Sequence, residues 1–222
     1  MRWPAAGAGD RRSGAATDGS FAWKLAASWL FAALLWAVMF VWRPLNFWLL
    51  MSLTQGALIA ISLAFAGNPF EHRRPTAGDA VLGAGSAALL YALFALGNLL
   101  SRRLLPGAGL QIGAIYAIRH GTPVGLVALL LLLLIGPGEE IFWRGWVQRQ
   151  LEARLGENRA MLLTVVLYTG IHLSTGNPML ILAALAAGLV WSLMYRLFHR
   201  LWPNLISHAL WDMAAMALFP FR

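Results

Sequence analysis

The stretch LVALLLLLLIGPGEEIFWRGW, residues 126–146, decides how this chain folds. Its first half is an uncharged apolar run of the kind that crosses a membrane as a helix. Glu139, Glu140 and Arg144 follow directly after a Gly-Pro-Gly triplet. Each charge at the centre of a bilayer costs about 2.5 to 3.5 kcal/mol on insertion scales. The three charges must therefore face the protein interior or water, and not lipid.

The composition of the whole chain indicates a membrane protein. The 222 residues are 59% hydrophobic and only 12% charged, with a mean hydropathy of +0.66. A soluble domain of this length does not need such a balance. The net charge of +8 comes from basic residues scattered between apolar runs, which favours membrane topology over a nucleic-acid partner. Cysteine is absent, which excludes disulfides and thiolate metal sites.

The apolar runs predict an all-α, polytopic bundle, since a transmembrane helix needs about 20 apolar residues. Seven runs meet or approach this length: 21–42, 45–67, 79–100, 122–143, 160–174, 178–198 and 202–220. Residues 104–120 are Gly-rich and interrupted by Pro106. They are predicted to form a connection or an interfacial helix, with an eighth span as the alternative.

The basic residues predict the orientation in the membrane. With the N terminus inside, most of the 17 basic residues lie on the cytoplasmic side, as the positive-inside rule requires. We therefore expect a multi-pass membrane protein with a cytoplasmic N terminus, in contact with the lipid bilayer. Residues 1–20 are predicted to be a disordered cytoplasmic tail, and residues 21–120 to be N-terminal membrane helices with their connecting segment. Residues 121–222 form the remaining unit.

The Gly-Pro-Gly triplet is predicted to break the fourth run, so that a new helix begins at the two glutamates. Glu140 and Arg144 are spaced i, i+4 and are predicted to pair on one helix face. Glu139 points about 100° away on an ideal helix, which leaves it free to face a site. As drawn, this topology puts Glu139 in the cytoplasmic half and His172 near the far end of a short fifth span, at a different depth. The alternative is that residues 138–155 continue into or along the membrane and place Glu139 deeper than simple counting suggests.

Two further helices carry ionisable groups within apolar runs. His172 lies in LLTVVLYTGIHLS, with Tyr168 one turn earlier, and His208 and Asp212 are spaced i, i+4 in NLISHALWDMAAM. Taken singly, each group has a simpler explanation in packing or interhelical hydrogen bonds. Together they predict one polar cavity that activates water. Glu139 would act there as a general base, or a metal would be bound by Glu139, His172 and His208, with or without Asp212.

Three motifs carry a resemblance to a known family. GEEIFWRG fits Glu-Glu-three residues-Arg, YTGIH fits aromatic-three residues-His, and HALWD fits His-three residues-Asn or Asp, in the right order. Over roughly residues 136–213 the chain resembles the CPBP family of intramembrane proteases, also called the ABI family. Its eukaryotic members are the type II CAAX prenyl endopeptidases. We accordingly interpret residues 121–222 as a CPBP-like protease core.

The resemblance implies an intramembrane endopeptidase that cleaves a membrane-associated protein or peptide. By analogy with the short, compact members of the family, it also implies a prokaryotic host and the cell (inner) membrane. It implies that Glu139 and His172 activate the attacking water, while His208 and Asp212 stabilise the oxyanion or help to hold the site. The family has been described both as metalloproteases and as metal-independent, glutamate-dependent proteases. A divalent metal such as zinc, bound by Glu139, His172 and His208, is therefore an open expectation, although the sequence has no HExxH helix.

The resemblance also assigns supporting roles and exposes two departures from the family pattern. Glu140 and Arg144 are implied to support the reacting groups. Tyr168 stands where Phe is usual, and Asp212 where Asn is common. An ionised Asp would repel an oxyanion. Either Asp212 is protonated or hydrogen-bonded to His208, or the oxyanion role belongs to His208 alone.

Two other functions fit part of the pattern. In an ion-coupled transporter the buried Glu, His and Asp side chains would form a proton relay, but no internal repeat or second broken helix accompanies them. A catalytically silent scaffold or immunity protein is the other alternative. The intact Glu139, His172 and His208 argue against lost activity.

Overall fold

The computed structural model describes residues 19–70 and 73–221. Within these residues the chain is helical, without strands, as the sequence predicts. The eight helices are α1 (Gly19–Trp42), α2 (Phe47–Ala66), α3 (Ala77–Leu104), α4 (Ala108–Ala117), α5 (Val124–Leu155), α6 (Glu157–His172), α7 (Pro178–Phe198) and α8 (Leu201–Asp212, continuing as a π-helix over Met213–Leu218). The predicted disordered tail, residues 1–20, lies almost entirely outside the described residues, and α1 begins at Gly19.

Five of these helices, α1, α2, α3, α5 and α7, are long and apolar enough to cross a membrane. The all-α, polytopic prediction is thus confirmed. Two of the seven predicted runs, however, do not form helices that are long and apolar enough to cross a membrane. Runs 160–174 and 202–220 correspond to α6 and α8. Helix α6 has 16 residues, about 24 Å, which is shorter than a bilayer core of about 30 Å. Residues 104–120 contain only the short α4, so they form a connection and not an eighth span.

Helix α5 runs without interruption through the Gly-Pro-Gly triplet, and the predicted break at Pro137 is wrong. Residues Leu131–Ile135 before the triplet and Ile141–Gln148 after it adopt π-helical hydrogen bonding. A π-turn is wider than an α-turn, and such local adjustments are how membrane helices tolerate proline. Glu139 and Glu140 therefore lie in the middle of a 32-residue helix and not at a helix N terminus.

The predicted difference in depth between Glu139 and His172 is also wrong. Helices α5 and α6 form a hairpin whose turn is Gly156, with a φ of +78° that favours glycine. Glu139 precedes Gly156 by nearly as many residues as separate Gly156 from His172. The hydroxyl of Tyr168, one turn before His172, lies 3.0 Å from Oε2 of Glu139, so the two side chains lie at a similar height in the bundle.

Two glycines allow the site-bearing helices to approach closely. A Cβ atom at Gly136 would lie 2.9 Å from the main-chain nitrogen of Ala209, so α5 packs directly on the backbone of α8. A Cβ atom at Gly188 of α7 would lie 2.8 Å from the ring of Tyr168 on α6. Small residues at such crossings let membrane helices meet backbone to backbone. Gly136 of the triplet thus serves packing between α5 and α8.

An ion pair fixes the beginning of α8 against α3. Arg200, directly before α8, donates from Nε and Nη2 to the two carboxylate oxygens of Asp79, both at 2.6 Å. Asp79 also closes a capping box with Thr76 at the start of α3. Bidentate pairing between guanidinium and carboxylate fixes orientation as well as distance. This contact sets the register in which α8 presents its polar face to α5.

Candidate active site

Glu140 is the centre of a fully buried hydrogen-bond network. Its Oε1 accepts a hydrogen bond from Nη1 of Arg144 at 2.8 Å and from Nδ1 of His208 at 2.7 Å. Its Oε2 accepts from Nδ2 of Asn204 at 3.1 Å. The predicted pairing of Glu140 with Arg144 is confirmed. A buried carboxylate needs this degree of compensation, because desolvation otherwise strongly disfavours its charge.

Arg144 extends the same network to α7. Its side chain is fully buried, and Nη2 donates to the carbonyl oxygen of Gly188 at 3.0 Å and to Oγ of Ser192 at 3.2 Å. The guanidinium also lies 5.3 Å from the ring centroid of Tyr168 on α6, within range of a cation–π contact. One side chain of α5 therefore contacts both α6 and α7. The ion pair holds the four late helices together.

Glu139 has a different environment from its neighbour. Its carboxylate is 4% exposed, and Oε2 accepts a hydrogen bond from the hydroxyl of Tyr168 at 3.0 Å. It lines a cavity that Glu140 does not reach. A carboxylate has room for about four hydrogen bonds, so Glu139 keeps acceptor capacity for water.

The hydrogen bonding of His172 determines its tautomer. Its Nδ1 lies 2.8 Å from the main-chain oxygen of Tyr168, one turn earlier on α6. A carbonyl oxygen only accepts hydrogen bonds, so Nδ1 carries the proton and Nε2 of the neutral ring is an acceptor. Trp36 of α1 and Tyr168 contact the ring at centroid distances of 5.7 Å and 4.9 Å. The ring is thereby held with Nε2 available.

His208 lies between two carboxylates. Because Nδ1 donates to Glu140, Nε2 is the nitrogen on the other side of the ring, 3.5 Å from Oδ2 of Asp212. The indole of Trp191 stacks on the imidazole, with centroids 3.6 Å apart and planes 20° from parallel. Of the alternatives for Asp212, this geometry favours the one in which it interacts with His208.

One chamber of about 460 Å³ brings the predicted reacting groups together. Glu139, His172, His208 and Asp212 all line it, and they come from α5, α6 and α8. Tyr168 lines it beside them. The rest of the lining is largely apolar and includes Trp36, Met51, Phe94, Ile112, Ala187 and Trp211. The four ionisable side chains and Tyr168 form the polar end of the chamber, and Glu140 and Arg144 lie behind it. Helices α1 to α4 thus complete the enclosure of a site whose ionisable groups come from the later helices.

The arrangement does not supply a preformed metal site. Within the described residues, no group of three or more His, Asp or Glu side chains is positioned to hold a metal ion. Both ring nitrogens of His208 already face carboxylates, one on Glu140 and one on Asp212. Nδ1 bonded to a carboxylate is common in metal-bound histidines, and Nε2 would have to turn from Asp212 to reach a metal, so the expected zinc set stays a prediction.

Two contributors to the site were missed by the sequence reasoning. Asn204 bonds both Glu140 and the main-chain oxygen of Trp191, the latter at 2.8 Å. Its spacing gave a signal, because Asn204, His208 and Asp212 follow each other at i, i+4 on one face of α8. The sequence around Trp191 gave no signal, since an aromatic residue in an apolar run cannot be distinguished from an ordinary core residue.

Comparison with known proteins adds one match. A family model described as "Type II CAAX prenyl endopeptidase Rce1-like" matches residues 121–214, a range that contains every predicted site residue. No curated protein and no solved structure matches the chain. The matched range agrees with the three motifs and with the helices that surround the network at Glu140. The match supports endopeptidase activity at the membrane in general, and it supports CPBP family membership over residues 121–214.

Proposed function

We propose that this protein is an intramembrane endopeptidase in which Glu139 and His172 activate water for the hydrolysis of a peptide bond. The observation that carries the proposal is the shared chamber: one carboxylate with spare acceptor capacity and two imidazoles from three helices line it together. Glu140, with its three hydrogen-bond donors, lies behind them. The family match over residues 121–214 supports the same reaction class.

The first step is attack by water on the carbonyl carbon of the substrate. The carboxylate of Glu139 takes one proton, and Nε2 of His172 accepts a hydrogen bond from the other hydrogen. The water oxygen forms a bond to carbon while the electron pair of the C=O bond moves onto its oxygen. Proton removal by a positioned base contributes typically about 10²- to 10⁴-fold in rate.

The second step needs a donor for the oxyanion and a proton for the leaving amine. In the proposed mechanism His208 is an imidazolium, and its Nε2–H donates to the oxyanion. Glu140 and Asp212 on either side supply the compensating negative charge. Asp212 acts on His208 and not on the oxyanion, because two negative charges repel. When the intermediate collapses, the C–N bond breaks and Glu139 returns its proton to the amine.

The substrate class follows from the chamber. Its lining away from the polar end is dominated by apolar and aromatic side chains, which suit an apolar segment of a membrane-associated protein or peptide. A helical substrate has to unwind locally before its peptide bond reaches Glu139. Residues 121–222 form the proposed protease core, and residues 21–120 complete the chamber wall.

Membrane orientation can be tested separately, because the chain has no native cysteine. We propose a cytoplasmic N terminus, supported by the distribution of the basic residues, and location in the inner membrane, supported by the resemblance to the short members of the CPBP family. Exposed positions His120 and Glu157 lie near opposite ends of α5. A membrane-impermeant maleimide added outside the cell should label His120→Cys and leave Glu157→Cys unlabelled. Labelling of Glu157→Cys alone would invert the proposed topology.

The reaction is tested by comparing protein termini in membranes that contain the wild type or Glu139→Gln at matched levels. Glu157→Gln is the matched control, since Glu157 is exposed and distant from the chamber. New termini shared by the wild type and Glu157→Gln, and absent with Glu139→Gln, would establish the protease and identify its substrate and cleavage position. Identical termini in all three samples would overturn the proposal and leave the carrier and scaffold alternatives to be tested.

The zinc alternative has its own measurement. Elemental analysis of the purified wild type and of Glu139→Gln gives the metal content independently of activity. A stoichiometric metal ion in the wild type that is lost from the variant would favour a metalloprotease. If Glu139 acts only as a general base, the metal content of the wild type and of Glu139→Gln should be the same.

A further inference from the structure

Trp191 of α7 makes the closest ring contact with a proposed reacting group. Its side chain is 1% exposed, and its indole stacks on the imidazole of His208 with centroids 3.6 Å apart. The planes are only 20° from parallel, so the indole covers one whole face of the imidazole. Such stacking stabilises a ring pair beyond simple burial, and an aromatic face also attracts a cation.

Hydrogen bonds fix Trp191 to α8 at two residues that precede His208, Ser207 and Asn204. The indole Nε1 donates to Oγ of Ser207 at 3.1 Å, and Ser207 donates to Oγ of Ser86 on α3 at 3.0 Å. The main-chain oxygen of Trp191 accepts from Nδ2 of Asn204 at 2.8 Å. The indole is therefore anchored through Nε1, and the backbone of Trp191 through its carbonyl oxygen, by contacts that do not depend on the side chain of His208.

The fixed indole limits how the imidazole can rotate. The contact between Nδ1 of His208 and Glu140 fixes one atom of the ring, which alone allows the plane to swing about that nitrogen. The stacked indole removes this freedom on one face. Both contacts together keep Nε2 on the side of Asp212 and of the chamber.

We propose that Trp191 is a positioning residue that holds the imidazole of His208 by stacking, so that Nε2–H points at the oxyanion. The inference rests on the proposed function, in which His208 is the oxyanion donor. Trp191 acts through His208 and takes no part in proton transfer. Its effect therefore belongs to kcat, because the oxyanion exists only after water has attacked.

Two substitutions that are similar to each other in volume, and both smaller than Trp, separate stacking from packing. Trp191→Phe retains an aromatic face, whereas Trp191→Met is apolar without one. Trp146→Met is the matched control, since Trp146 is equally buried on α5 but packs on Phe21 and Phe65 outside the chamber. The assay is cleavage, in detergent, of a quenched fluorescent peptide with the sequence around the bond identified from the membrane termini. Wild type and Glu139→Gln are included.

We expect Trp191→Met to lower kcat about tenfold with KM changed less than about threefold. Trp191→Phe should stay within about threefold of the wild-type kcat, and Trp146→Met should lose thermal stability without losing kcat per folded molecule. Equal kcat values for the Phe and Met variants would overturn the inference, as would an effect confined to KM, which would make Trp191 a substrate contact.

Failure of the inference and failure of the proposed function give different results. If the wild type cleaves, Glu139→Gln does not, and the two Trp191 variants behave alike, only the positioning role is lost. If the wild type and Glu139→Gln cleave equally, the proposed function is lost and the role of Trp191 with it.

If Trp191→Met does not fold, Ser207→Ala provides a second comparison. It removes the acceptor that orients the indole and should lower kcat about threefold at unchanged KM.

Discussion

The two sides of α5 at its adjacent glutamates have opposite environments. Glu140 is fully buried, accepts hydrogen bonds from three donors and lies behind the chamber. Glu139 accepts one from Tyr168 and lines the chamber. A single residue step thus separates a charge that holds helices together from a charge that retains capacity for chemistry. Buried polar networks are strong where every member has a partner, and reactive groups need the reverse.

Removing Arg144 is the most severe way to break this contrast. Arg144→Ala leaves Glu140 buried without its cationic partner, which typically costs about 3 to 5 kcal/mol. We expect a large fall in folded yield and in the thermal unfolding temperature measured in detergent. Glu139→Gln is the control, and it should unfold near the wild-type temperature although it is inactive. An Arg144→Ala protein with wild-type stability would show that the pair does not hold the helices.

A smaller loss of stability is expected from Asn204, the third donor to Glu140. Asn204→Ala removes hydrogen bonds to the Glu140 carboxylate and to the Trp191 carbonyl, and should cost about 1 to 3 kcal/mol. Asn204→Asp has nearly the same shape but places a second carboxylate against Glu140, so it should unfold at a lower temperature than Asn204→Ala. The opposite order of unfolding temperatures would mean that the site tolerates more negative charge than its contacts indicate.

Sequence reasoning succeeded where the governing interaction is local or where the cost is large. The pairing of Glu140 with Arg144 follows from helix geometry over a single turn. The shared location of His172 and His208 follows from the cost of exposing polar groups to lipid, which leaves few places for them. Both kinds of argument need no knowledge of which helix faces which.

The errors arose where the deciding contact is distant in sequence. A proline usually interrupts a helix. Here α5 continues through Pro137, because it packs on the backbone of α8 through Gly136 and π-turns on either side accommodate the proline. The stacking of Trp191 on His208 depends equally on how α7 meets α8. Periodicity within one segment carries no information on either contact, so the sequence alone could not predict them.

Asp212 lines the chamber together with Glu139, and its substitution tests the groups on that side of α5. If it only orients His208, Asp212→Asn retains a group of the same shape at 3.5 Å from Nε2. We therefore expect kcat/KM within about tenfold of the wild type, with little change in unfolding temperature. The measurement is the cleavage assay with the quenched peptide. An inactive, folded Asp212→Asn protein would show that the negative charge itself is required, either to keep His208 cationic or to bind a metal.

The smallest effect is expected from Tyr168→Phe, which removes the hydrogen bond to Glu139. The substitution also introduces the residue that is usual at this position in the CPBP family, which the chain resembles. Because Glu139 faces the chamber, water can replace the lost hydroxyl, unlike at the enclosed Glu140. We expect kcat within about threefold of the wild type and a stability loss of no more than about 1 kcal/mol. Unfolding temperature and kcat measured beside Asn204→Ala make the comparison direct. If Tyr168→Phe were as destabilising as Asn204→Ala, Glu139 would be as dependent on fixed partners as Glu140, and its capacity to act as a base would need another explanation.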